Sequence, residues 1–136
     1  MGSSGRTGGL QPREGYCWLF VYGLLKPGLQ PPHTLQLALP DAVPGELYDL
    51  GPYPALKPAP AGSNATARGF TLLLNSAELE RLDEFEGVAE GLYRRRRVVT
   101  SLGLEAWVYE YARPLPADAR GPLISWPPEE GTWLLC

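Results

Sequence analysis

Short apolar stretches separated by glycine- and proline-containing turns dominate the hydrophobic pattern of this chain. Apolar runs of this length, in part alternating with polar residues, are typical of β-strands. The pattern predicts a hairpin turn at 101–103 and strands over 17–22, 42–50, 67–74, 92–100 and 104–112. In the last strand, Trp107, Tyr109 and Tyr111 lie on one face, and Val108 and Glu110 lie on the other.

Residues 76–86 form the clearest predicted helix, and a second short helix is expected over 33–39. Asn75 is a suitable N-cap, and Glu78, three residues further on, completes a capping box. The predicted helix buries a stripe of apolar residues at i, i+3 and i+6, which are Leu79, Leu82 and Phe85. At roughly 100° per residue, Glu86 lies about 40° from the centre of this stripe, so its position calls for an explanation.

Glu86 occupies the last turn of the predicted helix, beside the buried stripe. The negative end of the helix dipole and poor solvation both disfavour an ionised carboxylate, so we expect a raised pKa for Glu86. A carboxyl group with a pKa near neutrality is suited to general acid–base catalysis. The alternative is that Gly87 ends the helix as its C′ residue and that Glu86 points into water.

The first predicted strand ends in a turn that contains two glycines. Trp18-Leu19-Phe20-Val21-Tyr22 is continuously apolar and aromatic, and Gly23-Leu24-Leu25-Lys26-Pro27-Gly28 follows it directly. Such a turn exposes several backbone N–H groups in one place, where they bind an anion or a carbonyl oxygen. Many buried strands end in a glycine turn, so this signal is weak by itself.

Together the two segments resemble one family, the γ-glutamylcyclotransferase-like superfamily of γ-glutamylamine cyclotransferases and AIG2-like proteins. Residues 20–28 are similar to the family's Tyr-Gly-x-Leu loop, and residues 82–88, followed by 91–93, to its Leu-Asp-x-x-Glu-Gly motif. Segments 51–56 and 106–111 agree as well, so that the resemblance covers roughly 17–113 in the expected order. Leu24 departs from the pattern, because relatives commonly carry Thr or Ser there.

Many strands with one or two helices indicate an α+β fold, a small mixed β-barrel with a helix across its mouth, and the resemblance implies the same. The resemblance further implies that a γ-glutamyl amine or amide cyclises to 5-oxoproline and releases its amine, with Glu86 as the general acid/base. The substrate's own α-amino group is the nucleophile in this reaction. No Ser-His-Asp or Cys-His triad is needed, which fits a chain whose single histidine, His33, lies in a proline-rich turn.

The expected substrate-binding residues are Tyr22, Gly23, Leu24, Leu25 and Tyr109. Backbone N–H groups of residues 23–25 are candidate donors to the oxyanion or the α-carboxylate, and the Tyr109 hydroxyl is a candidate donor to the carboxylate. Tyr22 and Tyr109 are equally interpretable as packed core aromatics. Tyr53 and Tyr93 are weaker candidates for the pocket wall, and Asp83 is interpreted as a structural residue that binds loop N–H groups.

Two further functions remain open. The chain is alternatively a non-catalytic binding module for γ-glutamyl-like small molecules, which the changed Leu24 favours and the retained Glu86 disfavours. A third option is an enzyme that removes an acyl group from an antibiotic or amino-acid intermediate, by the same chemistry with a different leaving amine.

Composition narrows the list of partners. The 136 residues suit one domain, expected over 15–136 behind a disordered tail at 1–14. With 12 basic and 15 acidic side chains, the chain has no broad basic field, so we expect neither nucleic-acid nor membrane partners. The arginines at 94–97 are predicted to alternate along a strand, two facing solvent and two on a pocket rim or paired with acids.

The remaining expectations concern location and cofactors. No apolar stretch approaches the roughly 20 residues of a membrane span, and no leader resembles a signal peptide, so a cytoplasmic protein is expected. Cys17 and Cys136 are too few for a disulfide framework, and no Cys/His cluster suggests a metal. We expect no metal and no cofactor; the oligomeric state is not indicated.

Overall fold

The computed structural model describes residues 12, 14–23 and 38–126 of the chain. These residues contain one helix, α1 (Ser76–Phe85), and eight strands. The strands are β1 (Tyr16–Val21), β2 (Ala38–Pro44), β3 (Glu46–Asp49), β4 (Pro54–Lys57), β5 (Thr66–Asn75), β6 (Tyr93–Val99), β7 (Glu105–Tyr111) and β8 (Arg120–Leu123).

The strands form two sheets. A five-stranded sheet has the order β2-β5-β1-β7-β6, and a three-stranded sheet has the order β4-β3-β8. In the large sheet β1 and β7 run parallel, while the other neighbours are antiparallel. Neither sheet closes on itself within the described residues, so the structure confirms a sheet-dominated α+β fold but not the predicted barrel.

The large sheet separates two apolar clusters, because successive side chains of a strand point to opposite faces. Leu19 and Val21 of β1 join the cluster that also includes Leu79 of α1. Phe20 and Tyr22 join the other cluster, which connects the large sheet to the small one through buried residues such as Leu47. Strand β1 therefore contributes to both halves of the core.

Several predicted elements need correction. The predicted strand 42–50 is two strands divided at Gly45, whose φ of +152° favours glycine and where a Cβ would lie 2.9 Å from Leu56 Cδ1. Residues 38 and 39 of the predicted second helix belong to β2, and 33–37 lie outside the described residues. Strands β4 and β8 were not predicted, because each is four residues long and contains proline, which sequence patterns assign to turns.

The four consecutive arginines lie in β6, as predicted. All four pair with acidic side chains, whereas two of them were expected to face solvent. Arg94 and Arg96 both contact the fully buried Glu110 of the neighbouring β7. Arg97 pairs with Glu105 at 2.8 Å, and Arg95 pairs with an acid of α1 described below. This run is therefore an intramolecular set of ion pairs along one edge of the sheet.

Asp49, a buried carboxylate at the end of β3, connects the small sheet to the segment that follows β8. Asp49 accepts hydrogen bonds from Gly51 N at 2.8 Å, Trp126 Nε1 at 2.9 Å and Arg120 Nη2 at 2.5 Å. Trp126 is buried, so this hydrogen bond holds the segment after β8 against the small sheet. The described part of the chain contains no helix long and apolar enough to cross a membrane.

Replacing Asp49 by alanine is expected to lower the free energy of unfolding by about 2–4 kcal/mol, because the buried Trp126 indole N–H loses its acceptor and two partly buried hydrogen bonds, from Gly51 and Arg120, are lost as well. Urea denaturation measures the change. The exposed Asp118 is the control, since Asp118→Ala is expected to change stability by less than about 0.5 kcal/mol. Equal stability of the two variants would contradict the assigned role of Asp49.

Candidate active site

Two local signals fix where helix α1 begins and ends. The Asn75 side chain accepts from Glu78 N at 2.9 Å, and Glu78 Oε1 accepts from Asn75 N at 3.2 Å, which confirms the predicted capping box. At the other end Glu86 is the C-cap, and its N–H donates to Leu82 O at 2.8 Å. Gly87 follows with φ +70°, a left-handed conformation that turns the chain out of the helix.

Glu86 lines a cavity of about 140 Å³. The other walls come from the end of β1, the start of β4, and strands β6 and β7, including Tyr22, Gly23, Pro54 and Tyr109. Gly23 packs so closely on Pro54 that a Cβ would lie 2.6 Å from Pro54 Cγ, so only glycine fits here without a shift. Gly87 therefore ends the helix, as the alternative interpretation expected, but Glu86 lines this cavity rather than pointing into water.

The Glu86 carboxyl group is half-buried, and it makes no hydrogen bond or ion pair with any residue in the described part of the chain. Burial raises the pKa of Glu86 from 4.5 to about 7, because the charged form loses its hydration. A carboxyl group with this pKa accepts a proton and returns it near neutral pH.

Three tyrosine hydroxyls near Glu86 all donate elsewhere. Tyr22 donates to the backbone carbonyl of Tyr109, and Tyr93 donates to Pro54 O at 2.6 Å. Tyr109 donates to Asp83 Oδ1 at 2.7 Å. Burial is the main reason that the pKa of each of the three lies well above its usual value, and the nearby Glu86 raises it further. These hydroxyls stay neutral around pH 7, and none of the three donates to the Glu86 carboxylate.

The structure brings most of the predicted site residues together. Glu86, Tyr22, Gly23 and Tyr109 line one cavity, whereas Leu24 and Leu25 lie outside the described residues. Tyr22 and Tyr109 are both core aromatics, 5% and 3% exposed, and cavity walls at once. The predicted donation from the Tyr109 hydroxyl to a substrate carboxylate does not fit, because this hydroxyl donates to Asp83.

Four further side chains differ from the expectation or were only weak candidates. Phe85 was predicted to be buried, but it is 56% exposed and lies at the cavity wall where the helix ends. The partners of Asp83 are the Tyr109 hydroxyl and Arg95 rather than the loop N–H groups that were expected. Tyr53 and Tyr93, the weaker candidates, both line the cavity and form an edge-to-face pair 6.3 Å apart.

Among the described residues, no group of three or more His, Cys, Asp or Glu side chains is arranged to hold a metal ion. The residues that line the cavity include one carboxylate and several tyrosines. The chemistry available to these residues is therefore proton transfer and hydrogen bonding.

Residues 19–135 match the family model described as gamma-glutamyl cyclotransferase, AIG2-like, and the chain therefore belongs to this family. The match confirms the resemblance found in the sequence. No curated protein matches the chain significantly.

Solved structures share the fold. An uncharacterised protein from Pyrococcus horikoshii is 23% identical, with a TM-score of 0.60 and coverage of 88% of this chain and 94% of its own. A mouse AIG2-like protein is 24% identical, with a TM-score of 0.57 and coverage of 74% and 80%. A protein from Arabidopsis thaliana is 23% identical, with a TM-score of 0.59 and coverage of 89% and 83%. At these identities the likeness establishes the fold alone.

The raised pKa of Glu86 makes a pH-dependent prediction about stability. Protonated Glu86 favours the folded state fully below pH 4.5, and this stabilisation is lost as the pH rises from 4.5 through about 7. Glu86→Gln, which stays neutral, is therefore expected to be more stable than the wild type above pH 7, by on the order of 3 kcal/mol. Urea denaturation at pH 4, 6 and 8 measures the difference, and a gain that does not grow with pH would contradict the assigned pKa.

Proposed function

We propose that this protein is a γ-glutamylcyclotransferase that converts a γ-glutamyl amine or amide to 5-oxoproline and a free amine. The observation that carries this proposal is Glu86, a half-buried carboxyl group with a pKa of about 7 in a cavity that also contains Gly23. Membership of the cyclotransferase family supports the assignment of the reaction.

In the proposed reaction Glu86 first takes a proton from the α-ammonium group of the substrate. The freed nitrogen attacks the γ-carbonyl carbon, a C–N bond forms, and the carbonyl electrons move onto oxygen. When the carbonyl re-forms, protonated Glu86 delivers its proton to the leaving nitrogen and the bond to that nitrogen breaks. The Glu86 carboxylate then takes the second proton from the ring nitrogen, which leaves a neutral lactam, and passes this proton to solvent or to the released amine. One carboxyl group thus serves as base and then as acid, for which a pKa near 7 is suitable.

The cavity also contributes by orienting the substrate. Attack within one molecule requires the glutamyl chain to fold so that its nitrogen approaches its own carbonyl carbon. Holding reacting groups in such a geometry contributes on the order of 7–11 kcal/mol in favourable intramolecular reactions. The walls near Tyr22, Tyr93 and Tyr109 are rigid, because each hydroxyl is hydrogen-bonded within the protein.

The oxyanion that develops on the γ-carbonyl needs hydrogen-bond donors. The backbone at Gly23 lies in the cavity wall, where its N–H is a candidate donor to this oxyanion or to the α-carboxylate. In the proposal the donors therefore come from the turn after β1, and the proton acceptor comes from the end of α1.

The activity test is formation of 5-oxoproline from a panel of γ-glutamyl amines and γ-glutamyl amino acids. Glu86→Gln is expected to lower kcat about 10²- to 10⁴-fold, the range for loss of a general acid–base group. Glu84→Gln is the matched control, because Glu84 is an exposed acid of the same helix and is expected to leave kcat unchanged within about twofold.

Full activity of the Glu86→Gln enzyme would remove Glu86 from the mechanism. Tight binding of a γ-glutamyl ligand by the wild type without any 5-oxoproline would instead identify the alternative, a binding module that retains the pocket. Either result is read directly from product formation and ligand titration on the same preparation.

A further inference from the structure

We propose that Asp83 and Arg95 fix the Tyr109 hydroxyl as a hydrogen-bond acceptor for the substrate's α-amino group, which places that group beside Glu86. This proposal rests on the proposed function and assigns the cavity wall that recognises the amino end of the substrate. Asp83 and Arg95 are positioning residues in it, since they act through Tyr109.

The direction of the Tyr109 hydroxyl follows from its neighbours. Asp83 Oδ1 lies 2.7 Å from Tyr109 Oη, and Leu79 O lies 3.5 Å away. An ionised carboxylate and a backbone carbonyl both accept hydrogen bonds and donate none. The hydroxyl hydrogen is therefore directed at Asp83, and the Tyr109 oxygen retains a lone pair as its remaining hydrogen-bonding capacity.

Arg95 holds Asp83 in this position. Its Nε lies 3.2 Å from Asp83 Oδ1, the same oxygen that accepts from Tyr109. The Arg95 guanidinium also lies 4.4 Å from the centre of the Trp107 ring, which restricts its rotation through a cation–π contact. A chain of contacts thus runs from Trp107 through Arg95 and Asp83 to the hydroxyl at the cavity.

A second hydroxyl points to the same ligand chemistry. Tyr93 also donates to an acceptor-only carbonyl, so it presents an oxygen lone pair rather than a hydrogen. With Tyr109 and Glu86, this part of the described wall consists of acceptors. A carboxylate would be repelled there, whereas an ammonium group has three donors to offer. The α-amino end of the substrate is the group that fits.

The test compares two ligands that differ only in the α-amino group. One is a γ-glutamyl amine, and the other is its desamino analogue, the glutaric acid monoamide of the same amine. Affinities are measured by isothermal titration with Glu86→Gln protein, so that turnover does not consume the ligand. The ratio of the two dissociation constants reports how strongly the protein recognises the amino group.

Tyr109→Phe, added to Glu86→Gln, is expected to reduce this ratio by roughly 10- to 100-fold, the range for a hydrogen bond to a charged group. Tyr48→Phe is the control, because it also removes a tyrosine hydroxyl, one that binds Glu46 at 3.0 Å and does not line the cavity. The control ratio is expected to remain unchanged. An unchanged ratio in the Tyr109→Phe protein would overturn the proposal.

The positioning role of Asp83 is tested by two substitutions in the same background. Asp83→Asn retains the oxygen that accepts from Tyr109 and is expected to keep the ratio within about threefold of its parent. Asp83→Ala removes that oxygen and is expected to reduce the ratio as Tyr109→Phe does. A purely structural Asp83 would weaken both ligands equally in Asp83→Ala, and that result would overturn the positioning role.

Failure of this proposal and failure of the proposed function give different results. Suppose that the wild type forms 5-oxoproline, while Tyr109→Phe in the Glu86→Gln protein leaves the ratio of the two dissociation constants unchanged. The assignment of the amino-binding wall is then overturned, and the cyclotransferase activity stands. If the wild type forms no 5-oxoproline and binds neither ligand, both proposals fail. Thermal unfolding of each variant checks that it is folded, and Tyr109→Phe still tests the assignment should Asp83→Ala not fold.

Discussion

The burial of one carboxyl group without a partner in the described part of the chain is the constraint on which the rest of the site depends. Glu86 is held there by the helix that precedes it: the Asn75 capping box sets where α1 begins, and the left-handed Gly87 sets where it ends. Because the helix rotates by roughly 100° per residue, these two points fix the direction of Glu86. The carboxylate loses hydration and gains no hydrogen bond from the described residues, and burial raises its pKa to about 7.

The surrounding polar groups maintain this state by being satisfied elsewhere. The Tyr22 and Tyr93 hydroxyls donate to carbonyls, and Tyr109 donates to Asp83. Any of them turned toward Glu86 would stabilise its charged form and lower its pKa. A site that destabilises the folded protein above neutral pH is therefore the same site that is suited to proton transfer. Stability lost at Glu86 is offset elsewhere, for example by the buried Asp49 and its three donors.

The sheet brings the two halves of the site together. Strands β1 and β7 lie side by side and parallel, so that the end of β1, which leads to Tyr22 and Gly23, lies at the same edge as the end of β7 near Tyr109. Strand β4 adds Pro54, which packs on Gly23 and accepts from Tyr93. No single segment of the chain contains this site, which is assembled from five elements of the fold.

The sequence by itself determined the local features of this protein. The capping residues, the glycine after Glu86 and the apolar period of α1 are encoded within a dozen residues, and they predicted the helix and the unusual position of Glu86. The family resemblance needed a second local segment as well, the glycine-containing turn after the first strand. Only the tertiary structure decided the rest. Whether strands pair in parallel, whether the sheets remain open, and whether short proline-containing segments such as β4 and β8 join a sheet depend on partners distant in the chain. The same holds for individual side chains. Phe85 follows the apolar period of the helix, but it is exposed at the end of the helix. Asp83 contacts Arg95 and Tyr109, which are distant in the chain, only in the folded protein.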